Sequence, residues 1–331
     1  MVVDQPIATK DTLRIGVSAC LLGEKVRYDG GHKHNEFLVD SLGPFVTWVP
    51  VCPEVELGLG TPRPSLRLVE TNGEVRLIET AKASSKQPEE RDLTAAMRTF
   101  ARKRVASLKR MRLSGYVLKK DSPSCGMARV RLYHDNGIPN RQGRGLFAHE
   151  LIEACPNLPV EEEGRLNDPG IRENFIERVF AYFVLVRFFE RSWNVSQLIA
   201  FHSARKLQLL SHSADGYRSL GRLVANAKAT DRGDLARQYA HEFMSALRLH
   251  ATRGRHANVL QHMAGYLKDR LDRSSRAELQ ELIGDYRSGL APLIAPITLI
   301  RHYVLAFDIT YLKDQIYLTP HPKELMLRNH V

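Results

Sequence analysis

Three of the four cysteines in this 331-residue chain occupy the same kind of position, shortly after an apolar, β-rich run. These are Cys20, Cys52 and Cys125, which follow the runs 13–17, 45–51 and 116–118. In an open parallel sheet the carboxyl ends of the strands share one edge, where ligands bind, so we expect the three thiols to converge there. Converging thiolates favour a soft metal, a cluster or redox chemistry.

The spacing of these cysteines separates the possible chemistries. A structural zinc prefers four ligands in Cys-x-x-Cys pairs, and a redox dithiol needs close spacing, and the chain has neither pattern. Three thiolates instead suit a [4Fe-4S] cluster with one open iron, which is a Lewis acid. Isolated cysteines are also typical of buried apolar packing, and the spacing alone leaves that alternative open. We interpret Cys155, on an apolar helical face, in that second way.

The elements that would position these thiols belong to an α/β domain. Short strands alternate with a helical pattern at 92–111, which predicts a Rossmann-like domain with a doubly wound parallel sheet over residues 1–160. The segment 156–171 is polar and rich in proline and glycine, and we interpret it as a linker. Residues 161–331 carry long helical patterns with almost no strand signal, which predicts an all-α domain.

The composition excludes several classes of protein. Four cysteines are too few for a disulfide-rich secreted scaffold, and the net charge of +11 favours a polyanionic partner. The N-terminus has no apolar run of the kind a signal peptide needs. The most apolar stretch, 179–189, is too short to span a bilayer. We therefore expect a cytoplasmic protein with no membrane association and no obligate protein partner.

Five sequence blocks, in order over residues 12–157, resemble the thiouracil desulfidase family. They are Ser-Ala-Cys-Leu-Leu-Gly at 18–23, Val-Arg-Tyr-Asp-Gly-Gly at 26–31, Val-Pro-Val-Cys-Pro-Glu at 49–54, Gly-Thr-Pro-Arg-Pro at 60–64 and Lys-Lys-Asp-Ser-Pro-Ser-Cys-Gly at 119–126. The motifs at 206–213, 262–266 and 317–329 are similar to a helical domain often found fused to that family. The combination resembles bacterial desulfidases that act on 4-thiouridine in tRNA.

The resemblance implies a cofactor, a reaction and a partner. Cys20, Cys52 and Cys125 would hold a [4Fe-4S] cluster with its fourth iron free. The thiocarbonyl sulfur would bind that iron, water would add at carbon 4, and the products would be uridine and hydrogen sulfide without net redox change. The partner would be tRNA containing 4-thiouridine, and the helical domain, which a free base would not need, would bind it.

Hydrolysis needs a proton carrier, and Glu54, two residues after a predicted ligand, is the first candidate. Ser122 is the second catalytic candidate, since its hydroxyl could bond the pyrimidine ring. The candidates for substrate binding are Ser114, Ser124, Lys119, Lys120 and Asp29. Each has a structural alternative: the serines and Asp29 are typical of caps and turns, and one of two adjacent lysines on a strand usually points outward.

Three other functions remain open from the sequence. The substrate could be free thiouracil or a thionucleoside. The chain could also be a non-catalytic iron–sulfur protein that binds RNA, or a module built around a structural zinc.

Overall fold

The computed structural model describes residues 13–80, 91–134 and 137–331, which fall into two units, Thr12–Asn167 and Asp168–Val331. The residues before 13, where no targeting segment is expected, lie outside the described part. The α/β unit contains β1 (Arg14–Ser18), β2 (Thr47–Val51), β3 (Leu66–Thr71), β4 (Glu74–Glu79), β5 (Arg91–Asp92), β6 (Gly115–Leu118), β7 (Val130–Tyr133), β8 (Pro139–Gly143) and β9 (Val160–Glu162). Its helices are α1 (Pro53–Glu56), α2 (Thr94–Arg110) and α3 (Leu146–Ala154).

The predicted parallel sheet is confirmed. Its strand order is β2-β1-β6-β9, and every neighbouring pair is parallel, with Ile15 opposite both Trp48 and Gly115. Both faces of β1 are buried, as its apolar sequence requires. Gly16 is needed because a Cβ there would lie 2.2 Å from the Tyr116 ring, so only glycine lets the two central strands pack this closely.

A second sheet in the same unit was not predicted. Its order is β5-β4-β3-β7-β8, with β3 and β7 parallel and the other pairs antiparallel. One face packs on α2 through a core that includes Leu68, Leu132 and Met97. The opposite face, on which Arg131 and Tyr133 alternate with the core residues of β7, is available to the functional site.

The boundary between the units lies at Asn167, a few residues after the predicted position at 160. Much of the predicted linker belongs to the α/β unit, because β9 adds to the parallel sheet and the acidic run 161–163 is buried. Glu162 accepts a hydrogen bond from the Met127 backbone N–H at 2.7 Å, and Glu163 accepts one from the Lys119 ammonium at 2.5 Å. These partners compensate the desolvation of the carboxylates.

The second unit is all-helical, as predicted. Its helices are α4 (Pro169–Glu190), α5 (Val195–Ser203), α6 (Lys206–His212), α7 (Ala214–Ala225), α8 (Arg232–Arg248), α9 (Arg253–Leu267), α10 (Arg273–Ser288), α11 (Ile294–Ala306) and α12 (Thr310–Lys313). Two apolar cores hold them together, one around Tyr239 and Phe243 and one around Met263 and Tyr286. Within the described residues, no helix is both long enough and apolar enough to cross a bilayer.

Buried charges tie the C-terminal segment of the helical unit to α4. The Arg328 guanidinium donates to the Glu173 carboxylate at 3.0 Å and to the Tyr317 carbonyl at 2.5 Å. Glu177, one turn further along α4, lies 3.3 Å from His212 Nε2. Burial alone would raise the pKa of Glu173, but His321 and Arg328 outweigh it and hold that pKa well below its usual range.

Candidate functional site

A cavity of about 550 Å³ opens at the carboxyl edge of the parallel sheet. The loops that follow β1, β2 and β6 form one side, and β3, β7 and β8 of the second sheet contribute the other. This is the edge where parallel α/β sheets bind ligands, because the loops leaving neighbouring strands meet there.

Cys20, Cys52 and Cys125 all line this cavity. Cys20 lies in a 3-10 helix directly after β1, Cys52 is the N-cap of α1, and Cys125 lies in the loop after β6. Cys125 is close enough to the other two for their charges to influence its titration, as Cys52 also influences that of Cys20. The structure thus brings together three thiols that are far apart in sequence, and their role as metal ligands stays a prediction.

Burial makes these thiols weak acids when no metal is bound. It raises the pKa of Cys20 to about 11, with the nearby Lys119 ammonium acting in the opposite direction. Burial also raises the pKa of Cys125, which a hydrogen bond with Ser18 only partly offsets. Thiolates at neutral pH would therefore require a bound cation, since metal binding releases thiol protons.

Tight backbone packing fixes the loop that carries Cys125. The Ser122 hydroxyl accepts hydrogen bonds from the backbone N–H groups of Ser124 at 3.3 Å and Cys125 at 3.1 Å, so this side chain caps the turn. A Cβ at Gly126 would lie 2.8 Å from the Ser122 carbonyl, and one at Gly145 would lie 2.4 Å from that of Ser124. Both positions therefore require glycine if Cys125 is to face the cavity.

Glu54 lines the cavity, and both oxygens of its carboxylate are held. The Arg63 guanidinium donates to Oε2 from Nε at 2.9 Å and from Nη2 at 2.6 Å, while Ser124 Oγ donates to Oε1 at 2.9 Å. The third nitrogen of Arg63, Nη1, donates to the carbonyls of Val26 and Gly60. This buried fork leaves Glu54 one orientation. The Gly-Thr-Pro-Arg-Pro block contains Arg63, but its sequence did not reveal this role.

The predicted serines separate into three locations. Ser122 lines the cavity, so contact with a substrate is compatible with its position. Ser124 was expected to bind substrate, but it is fully buried and directed at Glu54, so it positions that carboxylate instead. The expectation for Ser114 was wrong. It is buried at the amino end of β6, where its N–H bonds the Arg14 carbonyl, and the cavity lies at the opposite end of the sheet.

Lys119 and Lys120 both line the cavity, although they are adjacent. Glu163 fixes this segment, because one oxygen of its carboxylate accepts a hydrogen bond from the Lys119 ammonium and the other accepts one from the Lys120 backbone N–H at 2.7 Å. Asp29 does not line the cavity. Its carboxylate accepts the Gly31 N–H at 3.0 Å and pairs with Arg27 at 3.2 Å, so it forms the turn rather than a substrate contact.

The arrangement of the three thiols determines whether they could share a single metal ion. Among the described residues, no group of three or more histidine, cysteine, aspartate or glutamate side chains is arranged to share one metal ion. Cys155 is absent from the described lining of the cavity. In the helical unit His202 and His256 are buried, and burial lowers the pKa of each to about 4, which favours the neutral imidazole.

Comparison with known proteins identifies both units. Residues 15–163 match the family model for 2-thiouracil desulfurase, and residues 206–322 match that of DUF1722, a domain family of unknown function. The chain therefore belongs to the 2-thiouracil desulfurase family, which confirms the resemblance seen in its sequence blocks, and it carries an additional DUF1722 domain.

Two curated relatives and one solved structure are similar to parts of the chain. The uncharacterised protein YbgA of Escherichia coli (strain K12) is 35% identical over 153 residues, which are 46% of this chain and 90% of that protein. The uncharacterised protein YbbK of Bacillus subtilis (strain 168) is 36% identical over 154 residues, 46% of this chain and 97% of its own length. The [4Fe-4S]-dependent thiouracil desulfidase TudS is 30% identical, with a TM-score of 0.36 over 46% of this chain and 93% of TudS.

Proposed function

We propose that this protein is a [4Fe-4S]-dependent desulfidase that hydrolyses 4-thiouridine in tRNA to uridine and hydrogen sulfide. The observation that carries the proposal is the cavity in which three thiols from separate loops meet a carboxylate of fixed orientation. Membership of a desulfurase family supports the class of reaction. The choice of tRNA is our own inference from the basic charge and the additional helical unit.

The donor set suits an iron–sulfur cluster better than a single ion. Cys20, Cys52 and Cys125 are soft ligands, and a cubane is larger than an ion, so its ligands lie further apart than those sharing one metal. These three residues would hold the cluster, and the remaining iron would supply a thiophilic Lewis acid that polarises the carbon–sulfur bond.

Glu54 is our proposed proton carrier. Arg63 donates to Oε2 and Ser124 donates to Oε1, which fixes the orientation of the carboxylate. The part of the carboxylate that these donors do not cover faces the cavity. There it can accept a proton from the attacking water and return a proton to the departing sulfur. The water oxygen replaces sulfur on carbon 4, sulfur leaves as hydrogen sulfide, and no electrons are exchanged.

Three further side chains would bind the substrate. The Ser122 hydroxyl can bond the polar edge of the pyrimidine, because it faces the cavity while it caps its own turn. Lys119 and Lys120 place positive charge beside the reaction centre, where negative charge develops as water adds. The ion pair with Glu163 fixes the position of the Lys119 ammonium.

The decisive experiment is anaerobic reconstitution with iron and sulfide, followed by loss of thiouridine absorbance from bulk tRNA. Replacing Cys20, Cys52 or Cys125 by alanine should abolish turnover and reduce the iron content. The control is Cys155→Ala, because Cys155 is also a partly buried thiol whose pKa is raised by burial, but it does not line the cavity. Wild-type turnover in all three cavity variants would refute the mechanism.

The same assay separates the alternative functions. Turnover of free thiouracil or thiouridine with no preference for thiolated tRNA would make the small molecule the substrate. A stable cluster with tRNA binding and no turnover of any thiolated compound would favour a non-catalytic iron–sulfur protein.

A further inference from the structure

Ser18 is the last residue of β1 and lies two residues before the first predicted ligand, Cys20. Its side chain lines the cavity, yet the residue is only 2% exposed. The mechanism proposed above gives this serine no role. A buried hydroxyl needs a partner for its proton and for at least one lone pair, so the hydrogen bonds of Ser18 indicate what it does there.

The lone pairs and the proton of Ser18 are directed at different partners. Its Oγ accepts a hydrogen bond from the backbone N–H of Lys119 at 2.9 Å, and an amide N–H can only donate. The second partner of the hydroxyl is the sulfur of Cys125. A cysteine that binds metal has lost its proton, so in that state Ser18 is the donor and the Cys125 sulfur is the acceptor.

The position of Ser18 is fixed by both neighbouring strands. On one side β1 pairs in parallel with β6, and the bond to Lys119 is formed one residue beyond the end of β6. On the other side Ser18 lies opposite Val51 of β2, the residue before Cys52. Ser18 therefore lies where the chain segments that carry the three cysteines leave the sheet, and its backbone cannot move without moving them.

The three predicted ligands have different polar surroundings. The sulfur of Cys52 is contacted by backbone N–H groups in the first turn of α1, and the Lys119 ammonium lies near Cys20. The donor to Cys125 is instead the side chain of Ser18. A side-chain donor can be removed by substitution, whereas a backbone donor cannot, so Cys125 is the ligand whose surroundings a single change can test.

We propose that Ser18 is a positioning residue for the iron–sulfur cluster, whose hydroxyl orients the Cys125 sulfur and weakens the negative charge that this sulfur presents to iron. The proposal rests on the cluster of the proposed function and not on its substrate. Hydrogen bonds to ligating sulfurs are among the factors that set the reduction potential of a cluster. A thiolate that donates less charge also leaves the open iron a stronger Lewis acid for a thiocarbonyl sulfur.

The test compares Ser18→Ala with Ser65→Ala in the reconstituted full-length protein. Ser65 also lines the cavity, but its hydroxyl is hydrogen-bonded to that of Thr80 at 2.8 Å. Ser18→Thr keeps the hydroxyl and is the conservative variant. The measurements are the reduction potential of the cluster, from a redox titration followed by electron paramagnetic resonance, the terminal iron–sulfur stretches in resonance Raman spectra, and kcat.

We expect Ser18→Ala to have a more negative reduction potential than the wild type, because the reduced cluster loses a donor that stabilises its additional negative charge. One terminal iron–sulfur stretch should change its frequency, and kcat should fall about tenfold. Ser18→Thr and Ser65→Ala should keep the wild-type potential and spectrum. In the wild type, transfer to heavy water should shift the same stretch, since the hydroxyl proton exchanges, and this shift should decrease in Ser18→Ala.

An unchanged potential and spectrum in Ser18→Ala would overturn the proposal, because a serine that only accepts the Lys119 N–H would not affect the cluster electronically. An equal change in Ser65→Ala would also overturn it, since any loss of polarity in the cavity would then be sufficient. Failure of the proposed function gives a different result, a wild-type cluster that turns over no thiolated compound. In that case the potential of Ser18→Ala still decides the role of Ser18.

Discussion

Replacing Arg328 by methionine should destabilise the helical unit far more than removing a surface arginine. The Arg328 side chain is 4% exposed, donates to Glu173 and the Tyr317 carbonyl, and lies 3.9 Å from Glu177. Methionine has a similar length but provides no donor. The substitution therefore removes the guanidinium from the buried carboxylates of Glu173 and Glu177, which among the described residues keep His321, His212 and Gln208 as polar partners.

The expected loss follows from this burial. Removing one partner of a buried ion pair costs about 3–5 kcal/mol, because the remaining charge is desolvated without compensation. The control is Arg218→Gln in the same unit, where the side chains of Arg218 and Asp215 are 61% and 93% exposed. Exposed pairs of this kind contribute about 0–1 kcal/mol. The double variant E173Q/R328M should recover part of the loss, because it no longer buries an unpaired charge at Glu173.

The assay is urea unfolding followed by tryptophan fluorescence. The chain has two tryptophans, Trp193 in the helical unit and Trp48 on β2, so a Trp48→Phe background makes the signal report the helical unit alone. Trp193 is buried against Phe188 and Phe189, which makes its emission sensitive to unfolding. If R328M and R218Q lie within about 1 kcal/mol of each other, the buried cluster does not stabilise the unit as we argue.

Three other predictions concern separate parts of the chain. Gly145→Ala should lower iron retention and the midpoint of thermal unfolding, because the added Cβ would lie 2.4 Å from the Ser124 carbonyl in the loop that carries Cys125. An unchanged cluster content would contradict this prediction. Arg63→Lys should lower kcat about tenfold or more with little change in KM, because an ammonium cannot form the two parallel hydrogen bonds that orient Glu54. A change in KM alone would argue against a positioning role. Burial lowers the pKa of His202 and His256 from 6.5 to about 4, so the neutral forms stabilise the fold. That stability is complete above pH 6.5 and decreases as the pH falls toward 4, which the urea midpoint of the Trp193 signal should follow.

The location of the site could be predicted from sequence because it depends on strand ends alone. Cys20, Cys52 and Cys125 come after β1, β2 and β6, and these strands are adjacent and parallel, so their carboxyl ends meet at one edge. The same reasoning shows why Ser114 failed as a candidate. It precedes β6 rather than following it, and a residue before a strand lies at the other edge of the sheet.

The second sheet had a signal that the sequence interpretation did not use. Residues 66–71 and 74–79 are two short runs containing leucine, valine and isoleucine, and they are joined by Asn72 and Gly73, a pair typical of a tight hairpin turn. Both residues have positive φ in the structure, 54° and 78°, as such a turn requires. This hairpin brings Arg67 of β3 to the cavity, and its parallel neighbour β7 brings Arg131, and neither position was predicted from the sequence.

The orientation of individual side chains could not be predicted, because it depends on contacts between segments that are distant in the sequence. Ser124 and Glu54 are 70 residues apart, and their hydrogen bond forms only because the turn at Ser122 and the close approach of Gly145 fix the loop. Composition was misleading at Glu162 and Glu163, since an acidic run is usually solvated. Here backbone N–H groups and one ammonium, contributed by segments some 35 to 44 residues earlier, bind these carboxylates. Sequence order therefore determines which edge of the sheet a residue reaches, whereas its partner across the fold determines what it can do there.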